Sequence, residues 1–447
     1  MSWTQCGSRE RFSYRFFKRR LAARAICGEV NTMARKHSIL VVIGFVSFLL
    51  ACFVVARPVT SGGQLTAARD DDSNLVVHEW GTFTSIAGKN GFAVEWKPLN
   101  GSSDLPGFVY DTSGLAAWTG LRHGKRCVKC EMEALVRMET PVIYFYAGRE
   151  TTVSVRVDFS GGKITEWYPQ ARSVYVPGPY DGRNPSFIDW GRITVMPGAE
   201  ESFPVESKPS HYYPARETDA APLRVCTSKG QEREKFLFYR GVGTFDLPLA
   251  AKLDGGNIVV NNTSHERIGR FILFENRDGR VGYQIHGRFR GEVALDRPAL
   301  GQTVDSLESE LQKILVAQGL YEKEALAMIK TWHDSWFEEG LRIFYVLPRA
   351  LMDSVLPLTI DPQPSELTRV LIGRVEIITP ETEKGIERAV ASVGDSRQSL
   401  QEAAADITRK HGRFAEPVLK AALEKTTDPT LRARIQQLIN YASIAPR

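Results

Sequence analysis

The chain has 447 residues, of which 43% are hydrophobic and 24% are charged, so it is longer than one typical domain and can form a sizeable core. Its formal net charge of +5 is concentrated at the N-terminus, where residues 1–57 contain ten Lys and Arg against two Glu. Subtracting these from the 57 basic and 52 acidic residues leaves 47 and 50, and this slightly acidic body excludes a large nucleic-acid-binding surface.

The first predicted element is a membrane-targeting segment within residues 1–57. Residues 39–56 are uncharged and follow a pair of basic residues, an order that is typical of an export signal. Because positive charges stay on the cytoplasmic side, the body is expected in the periplasm or outside the cell, or held at the inner membrane. Three outcomes stay open, namely cleavage after Ala56, retention as a membrane anchor, and lipidation of Cys52. An ordinary signal peptide would result if translation started at Met33.

Residues 58–72 are predicted to be a linker, and residues 73–300 are predicted to form a β-rich domain. Short apolar or alternating runs, separated by Gly and Asp, indicate β-hairpins. Turns are predicted at residues 161–162, 254–256 and 276–279. Many short strands with such turns favour a mainly antiparallel, β-sandwich-like body.

Residues 301–379 are predicted to be a mixed region that packs on the β-rich domain. Their apolar periodicity indicates helices at residues 306–318 and 321–339. Strand patterns follow at residues 341–347 and 367–379. The region therefore adds both kinds of element to the body.

Residues 380–447 are predicted to be an all-helical tail. Thr379-Pro380 and Asp428-Pro429 each place a capping side chain before a proline at the first helical position. The segment GRFAEPVL, followed by Asp428-Pro429, resembles a HEAT-like helical pair. One or two such units are too few for an independent solenoid, so the tail is expected to pack against the body. The predicted fold class is therefore α+β.

A sequence motif, VHEWGTFT at residues 77–84, lies shortly after the predicted export signal. Together with residues 138–146, 165–169 and 331–340, it resembles an uncharacterised group of bacterial extracytoplasmic proteins. The resemblance implies a location outside the cytoplasm. It implies no mechanism, because it brings no assigned activity.

The sharpest local feature is the pair Cys127 and Cys130, with His123 four residues before it and Met132 two residues after it. Thiolate, imidazole and thioether ligands together suit zinc or cuprous copper. The same spacing suits a redox disulfide. A structural disulfide is the favoured interpretation, because an exported chain folds in an oxidising compartment. Cys226 is then the odd thiol of the body.

The adjacent residues His78 and Glu79 are a candidate binding pair, since they could supply a general base or metal ligands. Neighbouring residues on a strand point to opposite faces, so the two cannot readily share one metal ion. A zinc-protease helix would also need a second histidine at the place of Thr82. A histidine held by hydrogen bonds in the first strand is the favoured interpretation.

A second candidate binding segment is His211-Tyr212-Tyr213, which lies in a proline-rich loop. Aromatic rings with polar ends can stack on sugars or peptides, and a loop places them near solvent. The segment therefore indicates a weakly specified binding surface.

Nucleophile-elbow, phosphate-loop and dinucleotide-binding motifs are absent from the sequence. The favoured hypothesis is accordingly a non-catalytic envelope protein with a binding or structural role. It would contact the membrane through its N-terminal segment, and an envelope polymer or another protein through its body. The alternative is a metal- or thiol-dependent enzyme, or a metal carrier, that uses the region of Cys127 and Cys130.

Overall fold

The computed structural model describes residues 74–100, 104–112, 129–177, 185–227, 230–394 and 396–442. The predicted targeting segment and linker therefore lie outside the described residues. Within the described part of the chain, no helix is both long enough and apolar enough to cross a bilayer.

Strands make up most of the regular structure before residue 300, as the alternating patterns predict. The strands are β1 Val76–Ala87, β2 Tyr110–Asp111, β3 Val136–Tyr146, β4 Thr151–Phe159, β5 Gly162–Tyr168, β6 Ser173–Tyr175, β7 Ser186–Val195, β8 Leu223–Thr227, β9 Gly230–Glu234, β10 Leu237–Gly243, β11 Leu249–Asp254, β12 Asn257–Asn262, β13 Phe271–Arg277, β14 Arg280–His286, β15 Gly291–Leu295, β16 Gly340–Val346, β17 Leu358–Asp361 and β18 Glu366–Ile377.

Helices concentrate in the C-terminal third. They are α1 Val304–Ala317, α2 Glu322–Trp336, α3 Arg349–Val355, α4 Pro380–Ser392, α5 Arg397–His411, α6 Ala415–Lys425 and α7 Pro429–Ala442. The predicted cap at the start of the tail is present, because the Thr379 side chain accepts a hydrogen bond from the Thr382 backbone N–H. Mostly antiparallel sheets, followed by a helical C-terminal part, confirm the α+β class.

The strands form three sheets. The largest has the order β14-β13-β16-β18-β1-β3-β10-β5-β2, a second runs β17-β4-β7-β8-β9 with β6 beside β7, and a third is β11-β12-β15. The pair β1–β18 is parallel along twelve positions, whereas the other pairs between described strands are antiparallel. Strands β16 and β18, which come from residues 301–379, are thus members of the largest sheet.

Two of the three predicted hairpins are confirmed, and one is wrong. The turns at residues 254–256 and 276–279 do join paired strands, β11 with β12 and β13 with β14. The turn at residues 161–162 instead carries the chain from one sheet to another, because β4 pairs with β7 and β17, while β5 pairs with β10 and β2. The Phe159 ring occupies the space beside Gly162, where an added Cβ would lie 2.3 Å from it.

The largest sheet lies between two hydrophobic cores. One core fills the space between this sheet and the other two, and contains Val77 and Phe83 from β1. The second core lies under α1 and α2, and contains Trp80 from the same strand. Successive residues of β1 therefore face different cores, as the pleat of a strand requires. The tail helices α4 to α7 pack around a third core of their own.

Candidate functional site

His78 and Glu79 lie on opposite faces of β1, and each meets its own partners. The His78 ring faces α2, where its Nδ1 lies 2.7 Å from Glu324 Oε2. Glu79 faces the core between the sheets, where Tyr239 donates a hydrogen bond of 2.5 Å to Oε1. The two residues therefore belong to separate polar groups and form no shared site.

The group around His78 is buried and strongly hydrogen-bonded. Glu324 is the first-turn acid of α2, and it also accepts hydrogen bonds of 2.8 Å from the Tyr146 hydroxyl and from the Tyr321 backbone N–H. Its carboxylate holds the imidazole so that Nε2 points toward Glu366, whose Oε1 lies 3.9 Å away. This Nε2 is buried and has no hydrogen-bond partner among the described residues.

The group around Glu79 is an ion pair that ties the central sheet to α3. The Nε of Arg369 donates to Glu79 Oε2 at 2.5 Å, and its Nη1 donates to Asp353 at 2.8 Å. Burial would lower the pKa of Arg369, but the charge of Glu79 outweighs it and raises that pKa. Glu79 is therefore a structural carboxylate, paired with a cation inside the core.

A β-bulge on β3 lies opposite Gly81 and sets which residues face each other beyond it. Trp80 pairs with Val142, but Thr82 pairs with Glu139, so β3 carries one extra residue. Within this bulge Thr140 has a φ of 46°, an uncommon value for a β-branched residue. Strained backbone of this kind concentrates at functional sites.

Five side chains next to the bulge form a buried polar cluster, which we name the threonine–arginine site. Its members come from three neighbouring strands, and the strand register brings them to the same face: Thr82 lies opposite Glu139, and Thr84 lies between Arg137 and Arg374. Four of the five residues are at most 1% exposed, and the Arg137 side chain is 16% exposed. The site consists of Thr82, Thr84, Arg137, Glu139 and Arg374.

Each of these five residues has one buried polar atom without a hydrogen-bond partner among the described residues. Such atoms are uncommon in folded proteins, where buried polar groups nearly always find partners. Here five of them occur in one cluster. They are Thr82 Oγ1, Thr84 Oγ1, Arg137 Nε, Glu139 Oε2 and Arg374 Nε.

An ion-pair network holds one side of the site. Glu376 accepts a hydrogen bond of 3.1 Å from Arg342 Nε and also pairs with Arg374 and with Arg413 of the tail. Burial would raise the pKa of Glu376, but these three cations lower it to about 2. Arg413 Nη2 also lies 2.7 Å from Glu338, so the tail adds a cation beside the site.

A second network holds the other side. Asp104 receives hydrogen bonds from Arg240 at 2.7 and 3.0 Å, and one from Arg137 at 3.3 Å. Burial would raise the pKa of Asp104, but the charges of Arg240 and Arg137 hold it well below its ordinary value. The charged groups beside the free polar atoms are thus fixed by partners of opposite sign.

The segment His211-Tyr212-Tyr213 lies elsewhere and packs mainly against the molecule itself. His211 stacks on Trp332 of α2 with ring centroids 5.7 Å apart, and its Nδ1 lies 2.9 Å from the Thr331 carbonyl oxygen. Tyr212 is fully buried and donates to Glu234 at 3.0 Å. The Tyr213 hydroxyl accepts from the Glu206 backbone N–H at 2.9 Å. The rings therefore anchor this long loop.

The predicted cysteine cluster is only partly visible, because His123 and Cys127 lie outside the described residues. Cys130 is disulfide-bonded, Met132 is half-buried, and Cys226 is free and exposed on β8. Among the described residues, no group of three His, Cys, Asp or Glu side chains could hold a metal ion. Zinc or copper binding at Cys127 and Cys130 stays a prediction.

The motif segments at residues 77–84 and 138–146 contain Thr82, Thr84 and Glu139, but these motifs did not predict that they form a site. One further signal was present in β18. Arg374 and Glu376 interrupt β18, which is otherwise apolar from Val370 to Ile377. Charged residues inside a strand that is buried on both faces indicate a polar group within the core.

Comparisons with known proteins add little to this description. No family model matches the chain, and no curated protein matches it. Among solved structures, the chain is similar to the Fcho1 Mu homology domain of Danio rerio with bound Eps15 peptide, at 8% identity and a TM-score of 0.26. That match covers 68% of this chain and 96% of the other. A likeness this low leaves the family of the chain open.

Proposed function

We propose that this protein is exported and that it binds a small polar ligand at the threonine–arginine site without transforming it. The observation that carries the proposal is the cluster of five buried polar atoms that have no hydrogen-bond partner among the described residues. The basic and apolar N-terminal segment supports export.

Leaving one buried polar group without a hydrogen bond costs about 1–3 kcal/mol. Five such groups would cost on the order of 5–15 kcal/mol, which equals the whole net stability of a typical domain. We therefore expect buried water or a bound small molecule to satisfy these atoms.

The surroundings of the cluster suit binding because they are already organised. Arg374 is held by Ser335 at 2.7 Å and by Glu338 at 2.9 Å, and Arg137 is held by Asp104. Side chains fixed in this way lose little further entropy when a ligand arrives. The same internal pairing makes a catalytic role less suitable, since a general acid or base must itself gain and lose a proton near the working pH.

Native mass spectrometry of the protein purified from its own compartment tests this binding function. We expect an excess mass on the wild type that is lost in the variants Thr82→Val and Thr84→Val. The matched control is Thr359→Val, at an exposed position of β17. A bare wild-type mass would contradict the proposal.

Export is tested separately by fusing alkaline phosphatase after residue 72. The enzyme needs an oxidising compartment for its disulfides, so activity is expected when residues 39–56 are intact. Deleting residues 39–56 should abolish it. An inactive fusion with the intact segment would overturn the proposed location.

The HEAT-like tail is proposed to form part of the wall of the binding site, through Arg413.

A further inference from the structure

Resting on the proposed function, we infer that the threonine–arginine site takes a neutral molecule with several hydroxyl groups, such as a sugar or a cyclitol. Three features carry this inference: the chemistry of the free atoms, the balance of charge around them, and the distance that the ligand must bridge.

The unpartnered polar atoms of the site require a ligand that both donates and accepts hydrogen bonds. Thr82 Oγ1 and Thr84 Oγ1 can each do either, whereas Glu139 Oε2 accepts. The Nε atoms of Arg137 and Arg374 can donate, and that of Arg137 already lies 3.5 Å from Glu139 Oε1. Hydroxyl groups on one molecule meet all of these needs, because each hydroxyl is both a donor and an acceptor.

The balance of charge argues against an ionic ligand. The Nε of Arg137 lies 3.5 Å from Glu139 Oε1, and Arg374 is paired with Glu338 and Glu376. An anion would approach the free oxygen of Glu139, and a cation would approach two guanidinium groups. Either ion would lose its hydration without a matching partner, which is costly in a buried site.

The orientation of Arg374 also disfavours carboxylates and phosphates. These anions are usually bound by two parallel N–H groups of one guanidinium. Both terminal nitrogens of Arg374 are already used, Nη1 by Ser335 and Nη2 by the two glutamates, which leaves the single Nε–H. One such donor suits a single hydroxyl oxygen.

The spacing of the two threonines suits either several water molecules or one larger ligand. Residues two apart on one face of a strand are about 6.6 Å apart. One water molecule cannot hydrogen-bond to both side chains across that distance unless they lean toward each other, whereas a six-membered ring with hydroxyls on opposite sides can reach both. The indole of Trp80 lies two positions from Thr82 on the same face, within the hydrophobic core under α1 and α2.

Isothermal titration calorimetry on the full chain, kept soluble in detergent, tests the inference with six probes. Myo-inositol and glucose represent the inferred class, and sulfate, phosphate, putrescine and glycine betaine represent ions. We expect a neutral probe to bind and Thr84→Val to weaken it about tenfold or more. The control Thr359→Val should not change its affinity.

The other outcomes separate the two proposals. If an ionic probe binds instead and Thr84→Val abolishes it, the ligand class is wrong and the binding function stands. If no probe binds, the molecule that is released by acid from the native protein is identified by its mass. A polyol supports the inference, and a charged or apolar compound overturns it. If the native mass equals that of the polypeptide alone and none of the six probes binds, both the ligand class and the binding function are overturned.

Discussion

Gly81 lies so close to Pro141 across the β1–β3 pair that a Cβ on the glycine would be 3.0 Å from the proline Cα. The absence of a side chain on Gly81 therefore allows β3 to approach β1 closely at the bulge. This close approach also explains why a glycine stands in the middle of the buried strand β1, where glycine costs backbone entropy.

The first prediction concerns Gly81→Ala. The added methyl group must push the bulge away, so we expect the free energy of unfolding to fall by about 1–3 kcal/mol. Urea denaturation measures this loss. Gly269→Ala is the matched control, because a Cβ there meets no atom within 4 Å. Equal stability of the two variants would contradict the close contact.

The second prediction concerns the ion pair of Glu79 and Arg369. Arg369→Met leaves the carboxylate buried without its cation, which should cost about 3–5 kcal/mol in urea denaturation. Arg349→Met, at a half-exposed partner of Asp353, should cost no more than about 1 kcal/mol. The double variant Glu79→Leu with Arg369→Met should be more stable than Arg369→Met alone, because it leaves no unpaired buried charge. A double variant that is less stable than Arg369→Met would refute the proposed ion pair.

The third prediction is a pH dependence from Glu376. Its pKa is lowered from 4.5 to about 2 in the folded protein, so its ionised form stabilises the fold. This stabilisation is complete above about pH 5 and is lost as the pH falls toward 2. Glu376→Gln should therefore reduce stability at pH 7 and flatten the fall in stability on acidification. Glu339→Gln, at an exposed position, should keep the wild-type slope. Parallel curves for wild type and Glu376→Gln would show that the pairing is absent.

The fourth prediction concerns thiol reactivity. Iodoacetamide, applied to the native protein without reductant, should alkylate Cys226, which is free and exposed, and should spare Cys130, which is disulfide-bonded. Peptide mapping after digestion detects both outcomes. Alkylation of Cys130 before reduction would instead favour the metal or thiol alternative.

The local elements of the fold could be predicted from the sequence, because each depends on neighbouring residues. The hairpins β11–β12 and β13–β14, and the helix that begins at Pro380, follow from turn and capping chemistry. The turn at residues 161–162 shows the limit of such reasoning, since glycines predict a turn and do not specify which strands will pair.

The threonine–arginine site could not be predicted in the same way. Thr84 and Arg374 become neighbours only through the parallel pairing of β1 with β18, and Thr82 meets Glu139 only because of the bulge. Both depend on long-range register. The charged residues in β18 indicate a polar group in the core, but they do not indicate its partners. His78 was correctly placed on a strand, but its partner Glu324 is 246 positions away.

The parallel pairing of β1 and β18 has a consequence for how the chain matures. Strand β1 is among the first described parts to leave the ribosome, yet its partner is about 290 positions later. Until that partner emerges, one edge of β1 has unpaired N–H and C=O groups that can recruit a strand from another chain. Folding of the central sheet is therefore a late event, and the newly made chain depends on protection against aggregation until β18 is available.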